Sequence, residues 1–127
     1  MNGAGIALGG TGLVHGEAKK RKMTVELVCG GLGIRATLPE AIELAHRHGF
    51  ESVAPAAGYL ASLSDGQMED FLGDLKAKGR VWGADGLPVQ FRYDDAQFNE
   101  GMKNLPGACK AGQRAGVTRV GMWLYPM

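Results

Sequence analysis

The chain has 127 residues, 45% of them apolar and 21% charged, with 14 Lys and Arg against 13 Asp and Glu. That length fits one domain, and the usage is that of an ordinary globular protein, which argues against both a disordered chain and a membrane protein. The near balance of charge supplies no global field toward nucleic acid or an anionic membrane, so neither is expected as a partner.

Residues 1–22 stand apart as a leader. Residues 3–14 (GAGIALGGTGLV) are small and weakly apolar, too short to cross a bilayer as a helix, and a basic run, Lys19, Lys20, Arg21 and Lys22, follows. The texture suits the apolar region of a secretory signal, with Gly16-Glu17-Ala18 as a poor cleavage match. It resembles the interior of a twin-arginine export signal, although no arginine pair stands in the sequence. The expectation is either a truncated export signal, which places the protein outside the cytoplasm, or a disordered leader, which leaves it cytoplasmic. The basic run is read as a solvated junction.

The folded part, residues 23–127, alternates strand and helix. Residues 23–29 (MTVELVC) read as a strand entering a loop rich in glycine at Gly30, Gly31 and Gly33. Thr37 and Glu40 then make a capping box around Pro39, and Leu38, Ala41, Ile42 and Ala45 share one face of a helix that Gly49 stops. Residues 50–55 (FESVAP) form the second strand, and residues 56–63 a loop or short turn carrying Tyr59. Ser64 and Gln67 make a second capping box, before a helix with Met68, Phe71, Leu72 and Leu75 on its apolar stripe.

Residues 80–84 (RVWGA) are the third strand, running into residues 85–93. Asp94 caps a third helix with Phe98, Met102, Leu105, Cys109 and Gly112 along one face, and Pro106 inside it is expected to kink or split it. Residues 117–124 (VTRVGMWL) form the fourth strand. Strand starts near residues 23, 50, 80 and 117 have the rhythm of a (β/α) barrel rather than of a doubly wound sheet.

No dinucleotide fingerprint or phosphate-binding loop follows a strand, since Gly30-Gly31-Leu32-Gly33 lacks the last glycine. Cys29 and Cys109 are far apart without metal-ligand spacing and are expected as buried small hydrophobes. His46 and His48 suit the end of a helix rather than a metal. Glu26 is the odd residue, a carboxylate in an apolar strand; it is expected to pair with Arg80 or Arg119 rather than to act as a functional acid.

Barrel chemistry gathers at the carboxyl ends of strands, which singles out Cys29, Pro55, Tyr59, Asp85, Arg92, Trp123 and Tyr125. Of these, Cys29, Tyr59, Arg92, Trp123 and Tyr125 are the substrate-binding candidates. Arg92 suits a phosphate or carboxylate, and Trp123 or Tyr125 an apolar sugar face.

Three stretches, GLGIRATLPEAIELAHRHGFESVAP, GLPVQFRYDDAQF and LPGACKAGQRAGVTRVGMWLYP, carry a resemblance that spans residues 24–126. They resemble the N-terminal half of the sugar phosphate isomerase/epimerase family, the xylose-isomerase-like TIM barrels. The resemblance implies an α/β fold, a partial (β/α)8 TIM barrel of about four parallel strands and three helices. It also implies a divalent metal (Mn, Mg, Zn or Co) and a sugar or sugar phosphate substrate. Such a metal stabilises the enediolate left when a proton departs from carbon beside a carbonyl.

In that family the metal-binding Glu, Asp, His and Glu come from strands of the second half, so the resemblance assigns no catalytic residue or metal ligand here. Ala54 also stands where many members carry a carboxylate. The resulting expectation is a barrel fragment that binds no metal and is inactive alone, with self-association through exposed strand edges. Two alternatives are a non-catalytic half-barrel module that assembles with a partner, and an abasic-site endonuclease. The latter needs a basic, phosphate-tracking face, whereas the Lys and Arg here are scattered among acids.

Overall fold

A computed structural model describes residues 22–122 of the chain. The leader, apart from Lys22, lies outside the described residues, as do Trp123 and Tyr125. Within them the chain is mixed α/β, with four helices and two small parallel sheets. The elements are β1 (Glu26–Leu27), a 3-10 turn (Cys29–Leu32), α1 (Leu38–His48), β2 (Ser52–Val53), α2 (Ala57–Ser62), α3 (Asp65–Ala77), β3 (Val81–Trp82), β4 (Asp85–Gly86), α4 (Asp95–Arg114) and β5 (Val120–Gly121).

Helix starts follow the side chains that the sequence offers. The Glu40 carboxylate accepts both the Thr37 N–H and the Thr37 hydroxyl at 2.7 Å, which closes the first turn of α1. Ser64 and Gln67 bond each other's main-chain N–H groups at the start of α3, and Asp94 accepts the Gln97 N–H at 2.9 Å at the start of α4. Gly49 ends α1 with φ near 76°, a left-handed conformation that glycine adopts without penalty.

Residues 56–63, expected as a loop or short turn, hold α2 instead, so the helix count is four and not three. Six residues do not sustain a helix alone. Burial of Leu60, completely shielded from solvent, supplies about 2 kcal/mol and pins the turn to the core.

The expected break at Pro106 does not divide the third predicted helix, because α4 is one element of 20 residues. Pro106 lies on its exposed side, as does Met102, whose carbonyl loses its helix partner there. The buried face is also rotated from the expected one. Gly101, Ala111 and Gly112 are buried, while Met102 and Cys109, both expected inside, are exposed. Close approach decides this: a Cβ on Gly101 would come within 2.7 Å of the Pro88 carbonyl oxygen and 2.9 Å of Val89 Cα. Small residues set the contact, so the larger apolar ones turn outward.

β1, β2 and β3 are parallel neighbours in chain order, with Glu26 opposite Ser52 opposite Val81, and Leu27 opposite Val53 opposite Trp82. β4 and β5 pair in parallel, Asp85 opposite Val120. The third predicted strand is therefore split. Val81 and Gly83 donate their N–H groups to Glu51 and Val53 carbonyls on one side, whereas Asp85 and Leu87 donate theirs to Arg119 and Gly121 carbonyls on the other. In a regular strand, residues two apart bond the same neighbour. The chain thus reverses its bonding side between Gly83 and Asp85, as at a bulge, and joins the two sheets.

Leu27 and Val53 are buried on one face of the β1-β2-β3 sheet, with Trp82 beside them. Leu38, Ala41, Ile42 and Ala45 of α1, Leu60 of α2, Met68 and Leu75 of α3, and Ala111 of α4 join them in a single cluster. Tyr59, Phe71 and Trp82 extend it as an aromatic run with ring centroids 5.5 and 6.1 Å apart. Trp82 Nε1 donates to the Ala115 carbonyl at 2.9 Å, which satisfies the polar edge of the indole inside this layer.

Candidate functional site

Side chains alternate along a strand, so Glu26, Ser52 and Val81 point away from the helix-covered face. That second face is exposed at its margins, with Val28 and Val81 46% and 49% exposed, while Ser52 between them is buried. The Glu26 side chain crosses it from β1 past β2, and its Oε1 accepts the Ala84 N–H at 3.1 Å. Ala84 sits inside the reversal of bonding side, between N–H groups committed to β2 and N–H groups committed to β5. Left without a partner in a half-buried position, that amide would cost about 1–3 kcal/mol.

Gly83 supplies the room. A Cβ there would overlap Oε1 and Cδ of Glu26 and lie 2.8 Å from Cγ. The expected ion pair with Arg80 or Arg119 does not form. Arg80 donates to the carbonyls of Lys78, at 2.8 Å, and Phe50, and Arg119 donates to the Trp82 carbonyl at 3.1 Å. Both guanidinium groups are drawn to main-chain carbonyls, and Glu26 reaches the strand reversal instead. Oε2 of Glu26 takes no bond among the described residues, and since no fully buried side-chain oxygen there lacks a partner, it is not sealed off from solvent. Beside it the Thr24 and Ser52 hydroxyls bond each other at 2.8 Å, and Ser52 is completely buried.

A cavity of about 230 Å³ opens at the carboxyl ends of β4 and β5, lined by Gly86, Gln90, Phe91, Arg92, Gly121 and Met122 among others. The Arg92 guanidinium lies 5.8 Å from the centre of the Tyr93 ring, within cation–π range. A further cavity of about 270 Å³ between α4 and β4–β5 has Leu87, Leu105, Val117 and Val120 in its largely apolar wall, and reads as a packing gap beneath the glycines of α4.

The sequence candidates are divided among these places. Cys29 opens the 3-10 turn, a free thiol half-buried against the core, and Tyr59 is a core aromatic of α2. Arg92 lines the cavity at the strand ends. Pro55 is buried after β2. Asp85 begins β4; burial raises its carboxyl above the ordinary value, while the Gly86 N–H, 2.9 Å from Oδ1, works against that shift.

Sequence reasoning passed over Gly83 and Ala84. Their signal was an isolated glycine inside a strand pattern, which marks a bulge or a close approach.

Among the described residues no three His, Cys, Asp or Glu side chains converge in a way that would hold a metal ion. The divalent metal implied by the resemblance therefore finds no ligand set among the described residues. What the open face offers is an oriented carboxylate acceptor. Compared with known proteins, the chain matches no family model, no curated protein and no solved structure.

Proposed function

We propose that the chain forms one wall of a (β/α)8 barrel whose open face binds a sugar or sugar phosphate, in the manner of sugar isomerases and epimerases. The observation that carries this reading is the strand order. β1, β2 and β3 are parallel and neighbour one another in chain order, β4 and β5 pair in parallel, and residues of all four helices join one core cluster with Leu27 and Val53. A doubly wound sheet would reverse its order at a switch point and carry helices on both faces. A barrel wall keeps helices outside and presents alternate side chains to the interior.

On that wall the cavity containing Arg92 would contact substrate, where the guanidinium suits a phosphate. Saturation-transfer NMR with D-fructose and with D-fructose 6-phosphate tests the reading. Both are expected to show protein-dependent attenuation, stronger for the phosphate and reduced by Arg92→Ala. Absence of sugar binding, together with binding of a duplex carrying an abasic site, would replace it with the endonuclease reading.

A further inference from the structure

Resting on that sugar reading, we infer that Glu26 is itself a substrate-binding carboxylate, which accepts a hydroxyl of a polyhydroxylated ligand at Oε2. Three features of different parts of the chain meet at this one group. The strand reverses its bonding side between Gly83 and Asp85 and leaves the Ala84 N–H between two ladders. Gly83 withholds the side chain that would occupy the carboxylate's place. Oε1 is anchored on Ala84, while Oε2 has no bond among the described residues and is not fully buried.

A carboxylate already held at one oxygen has little rotational freedom left to lose on binding, and a hydroxyl donating to it forms a charge-assisted bond. Reversals of this kind occur beside active sites, where they re-aim a side chain. Satisfying Ala84 alone does not require a charge, because a glutamine carries a carbonyl oxygen at the same reach. The structural and ligand-binding roles therefore separate on one substitution.

The experiment titrates the 15N-labelled 127-residue protein with D-fructose and follows main-chain amide shifts. Saturable shifts are expected at Ser52, Gly83 and Ala84. Glu26→Gln is expected to keep the melting midpoint and weaken binding by about tenfold or more, the scale of one lost hydrogen bond to a charged group. Gly83→Ala, whose methyl displaces the carboxylate without removing it, must weaken binding as well, and it serves as the second arm if Glu26→Gln folds poorly. Undiminished binding by both variants, or wild-type shifts that avoid Gly83 and Ala84, would overturn the role of Glu26 and leave the sugar reading standing. No D-fructose binding by any of the three proteins would overturn the sugar reading itself.

Discussion

Replacing Gly83 by alanine sets a methyl group where the Glu26 carboxylate now lies, overlapping Oε1 and Cδ and 2.8 Å from Cγ. The main chain has little freedom to give way, because the Gly83 N–H is held by the Val53 carbonyl at 2.9 Å. The glutamate must therefore swing out, and the 3.1 Å bond to Ala84 goes with it. An amide left unpaired in a half-buried position costs about 1–3 kcal/mol. Gly83 is not among the glycines with positive φ, so alanine fits its backbone, and the stiffer unfolded chain returns about 0.4–1 kcal/mol.

The net loss lies between about 0 and 2.6 kcal/mol, which for a domain of this size lowers the melting midpoint by up to roughly 10 °C. Urea denaturation of wild type, Gly83→Ala, Glu26→Ala and the double variant measures it. Glu26→Ala orphans the same amide, but in its background the added methyl meets no carboxylate and becomes neutral or mildly stabilising. The two changes are then coupled by about 1–3 kcal/mol. Strict additivity would refute the account of how these residues depend on one another.

Two other glycines test the packing of α4 by contrast. Gly101→Ala drives a methyl into the main chain at Pro88 and Val89 and is expected to cost about 1–3 kcal/mol, whereas Gly107→Ala meets nothing within 4 Å and should gain about 0.5–1 kcal/mol; equal effects in chemical denaturation would refute the docking of this helix. Pro106→Ala restores a helix hydrogen bond on the exposed side of α4 and is expected to stabilise by about 1–3 kcal/mol, with destabilisation as the contrary result. Burial raises the Asp85 carboxyl, so the folded state resists its ionisation: that penalty is absent below its ordinary value of 3.8 and grows as the pH rises through the raised value. Asp85→Asn keeps an acceptor for the Gly86 N–H and should melt higher than wild type at neutral pH, with the gain vanishing in acid; a gain independent of pH would contradict this.

Features that depend on neighbours within a few residues were legible before folding. Thr37, Ser64 and Asp94 start helices because each side chain meets main-chain or side-chain groups three residues along, and Gly49 stops one because its φ is positive. The apolar face of α1 was legible for the same reason: Leu38, Ala41, Ile42 and Ala45 repeat at helical spacing and all are buried.

Other features were decided by groups far apart in the chain. α2 exists because Leu60 finds the core, and no local pattern announced it. The buried side of α4 is set by the main chain at Pro88 and Val89, so the predicted stripe held at Gly112, partly buried Phe98 and partly buried Leu105 and failed at Met102 and Cys109. Glu26 shows the division most plainly. Its sequence marked it as a carboxylate out of place in an apolar strand, and the residues of opposite charge nearest strand starts were the natural partners to expect. Tertiary structure sent Arg80 and Arg119 to carbonyls and left the Ala84 N–H between two ladders 58 residues from Glu26. A reversal of hydrogen-bonding side is a property of three strands at once, and it becomes visible only when β2 and β5 flank the same run of chain.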